Sequence, residues 1–328
     1  MGRWWMHCHR SLPALVVPLL LCGCSRKIRL FHPQGPVASA ELHYTIIDVL
    51  VMSVIILPTT AALVLFIWRY RRSRGAAYDP SFNRSHLLEF LMWGVPVTTV
   101  AILGYFSFQG VFRVNPYGPT VLTGKTSLFR LPPKSGTADP VVINVVATDW
   151  QWLFIYPKQN IATLNTLVVP KNRDIAFRLT STDVVNDFFI PQLIPMIDVM
   201  PGMRTKDEMR ADHTGVWRGF SDDLSGAGFS WMQFPTRVLS KEAFGNWVRT
   251  VQGGPLRLDY IAFQKIAQPT ILLRPAYAYF SSVEPHLFSR IIAAARAGKV
   301  YSTRTQLTKD MRKAVTRHAT YIAGNTHP

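Results

Sequence analysis

Two long apolar segments constrain this chain more than any other feature. Residues 46–68, IIDVLVMSVIILPTTAALVLFIW, run for 23 residues with one charge, Asp48, near the start. At about 1.5 Å per helical residue, such a run crosses a hydrocarbon core of about 30 Å. Residues 87–108 form a second run, with Glu89 near its start and Pro96 inside. Pro58 and Pro96 predict kinks, which membrane helices tolerate where a neighbour compensates the lost bond. Buried helices of a soluble core are rarely this long and this pure, so both segments read as membrane spans. The connector, residues 69–86, carries Arg69, Arg71, Arg72, Arg74 and Arg84 against one acid, Asp79. Short arginine-rich loops stay in the cytoplasm. The segment 24–45 and everything after about residue 110 then lie outside, in the periplasm of a bacterial inner membrane, with both termini there. Trp68, Tyr70 and Trp93 fall near the span boundaries, where aromatic rings anchor helices.

The N-terminus fits that topology. Arg3 and Arg10 precede an apolar run, Ser11 to Leu21, and the small-residue exit Leu21-Cys22-Gly23-Cys24, which gives residues 1–23 the layout of a secretory signal. An ordinary cleaved signal is one reading. The other is that Leu-Cys-Gly-Cys resembles the lipobox of bacterial lipoproteins, which implies lipidation of Cys24 and acyl chains that hold it to membrane lipid. The three cysteines, Cys8, Cys22 and Cys24, all lie in this stretch, so the body of the chain has no disulfide framework. The formal charge of +17 could suit nucleic acid or anionic lipid. The topology argues against nucleic acid, because it places most of that charge outside the cytoplasm.

Beyond Asn115-Pro116-Tyr117-Gly118-Pro119 the texture changes to short runs rich in β-branched and aromatic residues. These lie at 141–156, 166–170 and 175–182, and near 184–199 and 228–238. Their spacing predicts a small β-sandwich or barrel over 120–252, with one helical stripe at 240–251. Residues 253–300 read as a loop-rich extension with short helices. The clearest is 283–298, where Pro285 suits a first turn and Gly298 a stop. Residues 301–328 form a basic tail.

A lipoprotein-type signal, two spans and an external β domain together resemble subunit II of the haem–copper respiratory oxidases, from Cys24 to about residue 300. The resemblance implies a two-helix transmembrane hairpin, a periplasmic all-β cupredoxin-like sandwich and a short α-containing C-terminal extension. In the cytochrome c oxidase branch the sandwich holds two coppers through a loop C-x-E-x-C-x3-H-x2-M and an earlier His. Laid on SDDLSGAGFSWM, that pattern puts Ser221, Asp223, Ser225, Phe229 and Met232 at the ligand positions, and the earlier His falls on Asn186. Only Met232 is a ligand type. A thiolate-bridged copper pair needs soft sulfur anions that serine cannot replace, so no metal is expected here. DWQWLFIYP, IATLNTLVVP, NDFFIPQL and SGAGFSWMQF then resemble subunit II of the cytochrome bo-type ubiquinol oxidases, the branch without this centre. That resemblance implies an accessory, non-catalytic chain binding no cofactor of its own. Haem and copper, and the site for ubiquinol, would belong to a partner subunit I within a proton-pumping complex. From residue 111 onward 26 Lys and Arg stand against 15 Asp and Glu, which would steer a basic cytochrome c away.

Glu89 is the membrane residue singled out. Carboxylates in spans tend to serve proton relays, whereas an interfacial carboxylate at a helix start is favoured by the helix dipole alone. The family resemblance implies the mouth of the proton pathway to the oxygen site. Trp150 and Trp152 fall on a motif that, in the copper branch, includes the aromatic that receives electrons. Without copper they read as packing residues of the sandwich and of its contact with subunit I. Asp222 and Asp223 read as a solvated turn, and no helix with phosphate-binding spacing follows the SGAG at 225–228. Two other readings are a free-standing lipoprotein with a cupredoxin-like binding or assembly domain and, more distantly, a cytochrome c oxidase subunit II.

Overall fold

The first apolar run becomes a helix that starts at Pro36 rather than Ile46. In the computed structural model, which describes residues 29–71, 75, 85–114, 140–271 and 276–301, helix α1 spans Pro36–Arg69 and helix α2 His86–Val114. Proline suits the first helical turn, where its missing N–H costs nothing. The 34 residues of α1 reach about 51 Å, well over the hydrocarbon thickness, so residues 36–45 extend beyond the apolar run. Ile56, Leu57, Phe66, Leu88, Phe90 and Trp93 expose their side chains to the surroundings, as membrane helices do and soluble core helices do not. The two helices pack together, with the ring of Tyr44 against Gly110. Residues 1–28 with Cys24, most of the arginine-rich loop, residues 115–139 and the residues beyond 301 lie outside the described residues.

The β domain is a sandwich of two sheets. The strands of the first are β1 (Val141–Ala147), β2 (Trp152–Tyr156), β3 (Ile161–Leu164), β5 (Asp174–Ser181), β8 (Thr205–Arg210) and β12 (Ala278–Phe280), in the order β12-β3-β2-β1-β5-β8. The second holds β4 (Leu167–Pro170), β6 (Asn186–Ile190), β7 (Ile194–Val199), β9 (Gly215–Phe220) and β10 (Gln233–Leu239), in the order β4-β10-β9-β6-β7. Two parallel pairs, β1 with β5 and β4 with β10, interrupt otherwise antiparallel ladders. Between the sheets Trp152, Phe154, Phe177, Phe188 and Phe234 form a fully enclosed aromatic cluster, with ring centroids 5.0–6.4 Å apart. Helix α3 (Lys241–Gln252) follows β10, capped by Ser240, whose side chain accepts from the Ala243 N–H.

The long run at 141–156 is two strands joined by a turn at 148–151, and its near-continuous hydrophobicity has a cause. Alternate residues of β1 and β2 face the sandwich core, while Val146, Leu153 and Ile155 face a second cluster on the outer side. That cluster is closed by the C-terminal extension through Phe263 of helix α4 (Tyr260–Ile266) and Leu287, Phe288 and Ile291 of helix α5 (Leu287–Arg296). Strands covered on both faces lose the in–out alternation. Helix α5 is shorter than its sequence pattern. Glu284 gives its N–H to Leu258 O and accepts from Tyr260 N, and His286 takes a left-handed conformation, so the helix starts after both. Ser282–Val283 pairs instead as a two-residue strand with Arg257–Leu258.

The segment before α1 is fastened to the sandwich. Gln34 donates to Gln192 O at 2.7 Å and its carbonyl accepts from Asp212 N at 2.9 Å. Gly35 follows in extended conformation, so close to the Arg210 carbonyl that a β-carbon would overlap that oxygen. Because the obstacle is backbone, the chain must move. Gly35→Ala is expected to lower the stability of the sandwich by about 1–3 kcal/mol, read as a drop in melting temperature of the full chain in detergent.

Candidate functional site

The residues that the family resemblance sets at copper-ligand positions gather at one end of the sandwich. Ser221 follows β9 and is almost fully buried; its N–H donates to Met232 O at 3.3 Å. Its Oγ accepts from Asp187 N at 3.2 Å and lies 3.4 Å from Asn186 Oδ1, to which it donates. Asn186, the first residue of β6, donates from Nδ2 to Val184 O. Met232 closes the loop with its side chain in the sandwich core, and its carbonyl accepts from Trp152 Nε1 at 3.4 Å. Ser225 and Phe229 are half-buried between them, and Phe229 starts a single 3-10 turn, Phe229–Trp231. Asn186, Ser221 and Met232 are therefore linked directly. Phe229 joins the set through its carbonyl, which accepts from Met232 N at 2.9 Å, while Ser225 N–H donates to the Asp223 carbonyl at 2.8 Å.

Trp150 governs the loop between these positions. It sits in the 148–151 turn with φ 79°, an unusual conformation for a bulky residue, and its Nε1 donates to Ser225 O at 3.4 Å. The indole lies flat against Gly226 and Gly228. A β-carbon on Gly228 would come 2.5–2.6 Å from three ring atoms, and Gly226 has φ +129° besides. The glycines of SGAG thus make room for an aromatic ring rather than a phosphate. Trp152 is fully enclosed in the core, and its N–H donates to Asn165 Oδ1 at 2.8 Å.

Carboxylates crowd this end. Asp187 faces Asp198 across the β6–β7 pair. Burial, a hydrogen bond with Asp198 and the nearby charges of Asp198, Asp223 and Asp222 raise the Asp187 pKa to about 6. Asp149, next to Trp150, is raised to about 7 by burial and by Asp183. Sequence reasoning passed over both, since a lone Asp beside a Trp or a Phe carries no pattern. Among the described residues, no group of three or more His, Cys, Asp or Glu is placed to hold a metal ion. In the membrane helices, Glu89 occupies the first turn of α2, exposed, with a carboxylate oxygen 3.8 Å from His86 Nδ1.

With this geometry in view, residues 156–238 match the family described as cytochrome c oxidase subunit II, periplasmic domain. Over 280 residues the chain is 36% identical to the cytochrome bo(3) ubiquinol oxidase subunit 2 of Pseudomonas aeruginosa, which covers 85% of this chain and 79% of that one. Over 295 residues it is 36% identical to the ubiquinol oxidase subunit 2 of Acetobacter aceti, covering 90% and 91%. The chain belongs to the ubiquinol oxidase subunit 2 family. Among solved structures, the periplasmic domain of subunit II of cytochrome oxidase from Bradyrhizobium japonicum is 27% identical, with a TM-score of 0.33, and covers 35% of this chain and 94% of its own.

Against the copper pair of cytochrome c oxidases, this member of the ubiquinol oxidase subunit 2 family offers an unsuitable donor set. Ser221 Oγ is already hydrogen-bonded on both sides, Phe229 has no donor atom, and Met232 is turned into the core. Two hydroxyls and an amide cannot replace two bridging thiolates and two imidazoles. The residues do not fit that group.

Proposed function

We propose that this chain is the accessory subunit II of a membrane-bound, proton-pumping ubiquinol oxidase, in which ubiquinol is oxidised and oxygen reduced at redox centres of a partner subunit I. The observation that carries this reading is the 36% identity to two ubiquinol oxidase subunits 2, across 79% and 91% of their lengths. The donor set at 221–232 supports it, because without a copper relay electrons have no route from a soluble cytochrome c. Haem and copper belong to subunit I; this chain contributes the two membrane helices and the sandwich, and holds no redox group. The arginine-rich loop puts the sandwich in the periplasm of the inner membrane, and Cys24 carries acyl chains that tie the N-terminus to lipid. Asn186, Ser221, Asp223, Ser225, Phe229 and Met232 are the relics of a ligand set, kept as a fold. Glu89 stands at the mouth of a proton pathway toward the oxygen site.

The family description naming a cytochrome c oxidase domain favours one competing reading. Purification in mild detergent separates the possibilities. A haem-containing complex that oxidises ubiquinol is the expected product; a haem-free monomer defeats the proposal. Two coppers bound to the outer domain would restore the cytochrome c reading.

Glu89→Gln tests the proton role separately. In the assembled complex it should slow oxygen reduction by roughly tenfold while leaving haem content unchanged. Turnover equal to wild type would leave Glu89 as an interfacial carboxylate and nothing more.

A further inference from the structure

The end of the sandwich that carries the 221–232 loop also holds a cavity of about 300 Å³, at the lower end of the size range of ligand pockets. Three parts of the chain build it: Arg29 from the N-terminal segment, Arg218, Ser221 and Asp222 from β9 and the loop's start, and Phe229 and Gln233 from its end. Arg29 and Arg218 are both exposed to the opening and, among the described residues, neither is hydrogen-bonded or ion-paired through its side chain. Partial burial and the Arg29 guanidinium push the Arg218 pKa down from its usual value. Two like charges held across one cavity repel, and an anion between them turns the repulsion into attraction.

Charge and shape narrow the ligand. Among the lining residues one carboxylate, Asp222, faces two guanidiniums, a balance of one positive charge that suits a singly charged oxyanion. Guanidinium forks match the oxygens of a phosphate with paired hydrogen bonds. Phe220 and Phe229 give the cavity an apolar side that can accept the organic arm of a phosphodiester. Arg29 stands seven residues before Pro36, the first residue of α1, so the pocket is built in part from the segment that leads into the first long apolar helix.

We propose that this pocket recognises phosphate, taking the phosphodiester of a phospholipid headgroup or a free phosphate between Arg29 and Arg218. Ser221 and Phe229, which stand where copper ligands would, line an anion site instead. The proposal is independent of assembly with a haem subunit, and its test needs none.

The full chain, purified in a non-ionic detergent, is titrated with inorganic phosphate at constant ionic strength. In a second arm it is mixed with vesicles of phosphatidylglycerol. Arg218→Gln and Arg29→Gln are compared with Arg257→Gln, which removes the same charge from an exposed residue of strand β11 (Arg257–Leu258) outside the pocket. Each pocket variant should weaken binding roughly tenfold relative to the control variant. Selective loss in the phosphate arm identifies free phosphate as the ligand; selective loss confined to the vesicle arm identifies the lipid headgroup. If neither arm separates the pocket variants from Arg257→Gln, only general positive charge is at play and the site does not exist. Arg29 lies outside the sheets, so Arg29→Gln keeps the test open should Arg218→Gln fail to fold.

Discussion

Asp207→Asn is expected to raise the stability of the full chain at pH 8 and to flatten its dependence on pH. Asp207 lies on β8, almost fully buried, with Oδ2 lacking a partner among the described residues and Oδ1 accepting from Glu208 N at 2.8 Å. Burial raises its pKa to about 7, against the opposing backbone hydrogen bond, with Glu208 and Glu41 adding to the rise. The folded state therefore holds a proton that the unfolded chain, at 3.8, releases. Stability contributed by the neutral carboxyl is complete below pH 4, falls as pH rises from 4 to 7, and is gone above about 7. A shift of this size corresponds to a penalty of about 4 kcal/mol at pH 8. Asparagine is neutral throughout, so the variant should avoid that loss. Thermal melts at pH 5 and pH 8 measure it: the wild-type drop between the two should shrink in the variant. An unchanged drop would mean that Asp207 reaches water in the folded state. Asp149, also raised to about 7, and Asp187, raised to about 6, shift in the same sense and account for the slope that remains.

Trp152→Ala should have the largest effect in the sandwich. The side chain is fully enclosed, with its ring edge-on to Phe188 at 5.4 Å and to Phe234 at 5.5 Å. Truncation leaves a cavity between two sheets whose backbones cannot close over it, at a cost of about 3–5 kcal/mol. A domain of ordinary stability would lose a large part of its margin. The denaturation midpoint should fall without a change in slope, and Trp152→Phe, which keeps a ring in place, should fall far less. Equal losses for Ala and Phe would shift the weight from packing to the Nε1 bond with Met232 O.

The two long apolar helices were legible because membrane helices are specified by hydrophobicity alone. Strands β8 and β9 were not. TKDEMR alternates as an edge strand does, but with charges on its outward face and Asp207 turned inward it does not resemble one. GVWRGF is broken by two glycines. The early start of α1 was missed for a different reason. Residues 36–45 include Glu41 and His43 and fail any hydropathy threshold, yet Ala38 is 2% exposed because the helix packs on β7 and β8. The second core under the C-terminal extension was hidden because its residues come from short, scattered segments. Its signature was there all the same, in the missing alternation of 141–156. The pairing of Trp150 with Gly226 and Gly228 joins residues about 75 positions apart, beyond any local pattern.

The backbone bonds at Gln34 have a mechanical consequence. Two residues before α1 begins, the chain is locked to both Gln192 and Asp212, and α1 itself leans on β7 and β8. No slack remains between bilayer and sandwich to absorb rotation. Any change in the tilt of α1 is then carried over as a swing of the whole β domain, as a crank turns with its shaft.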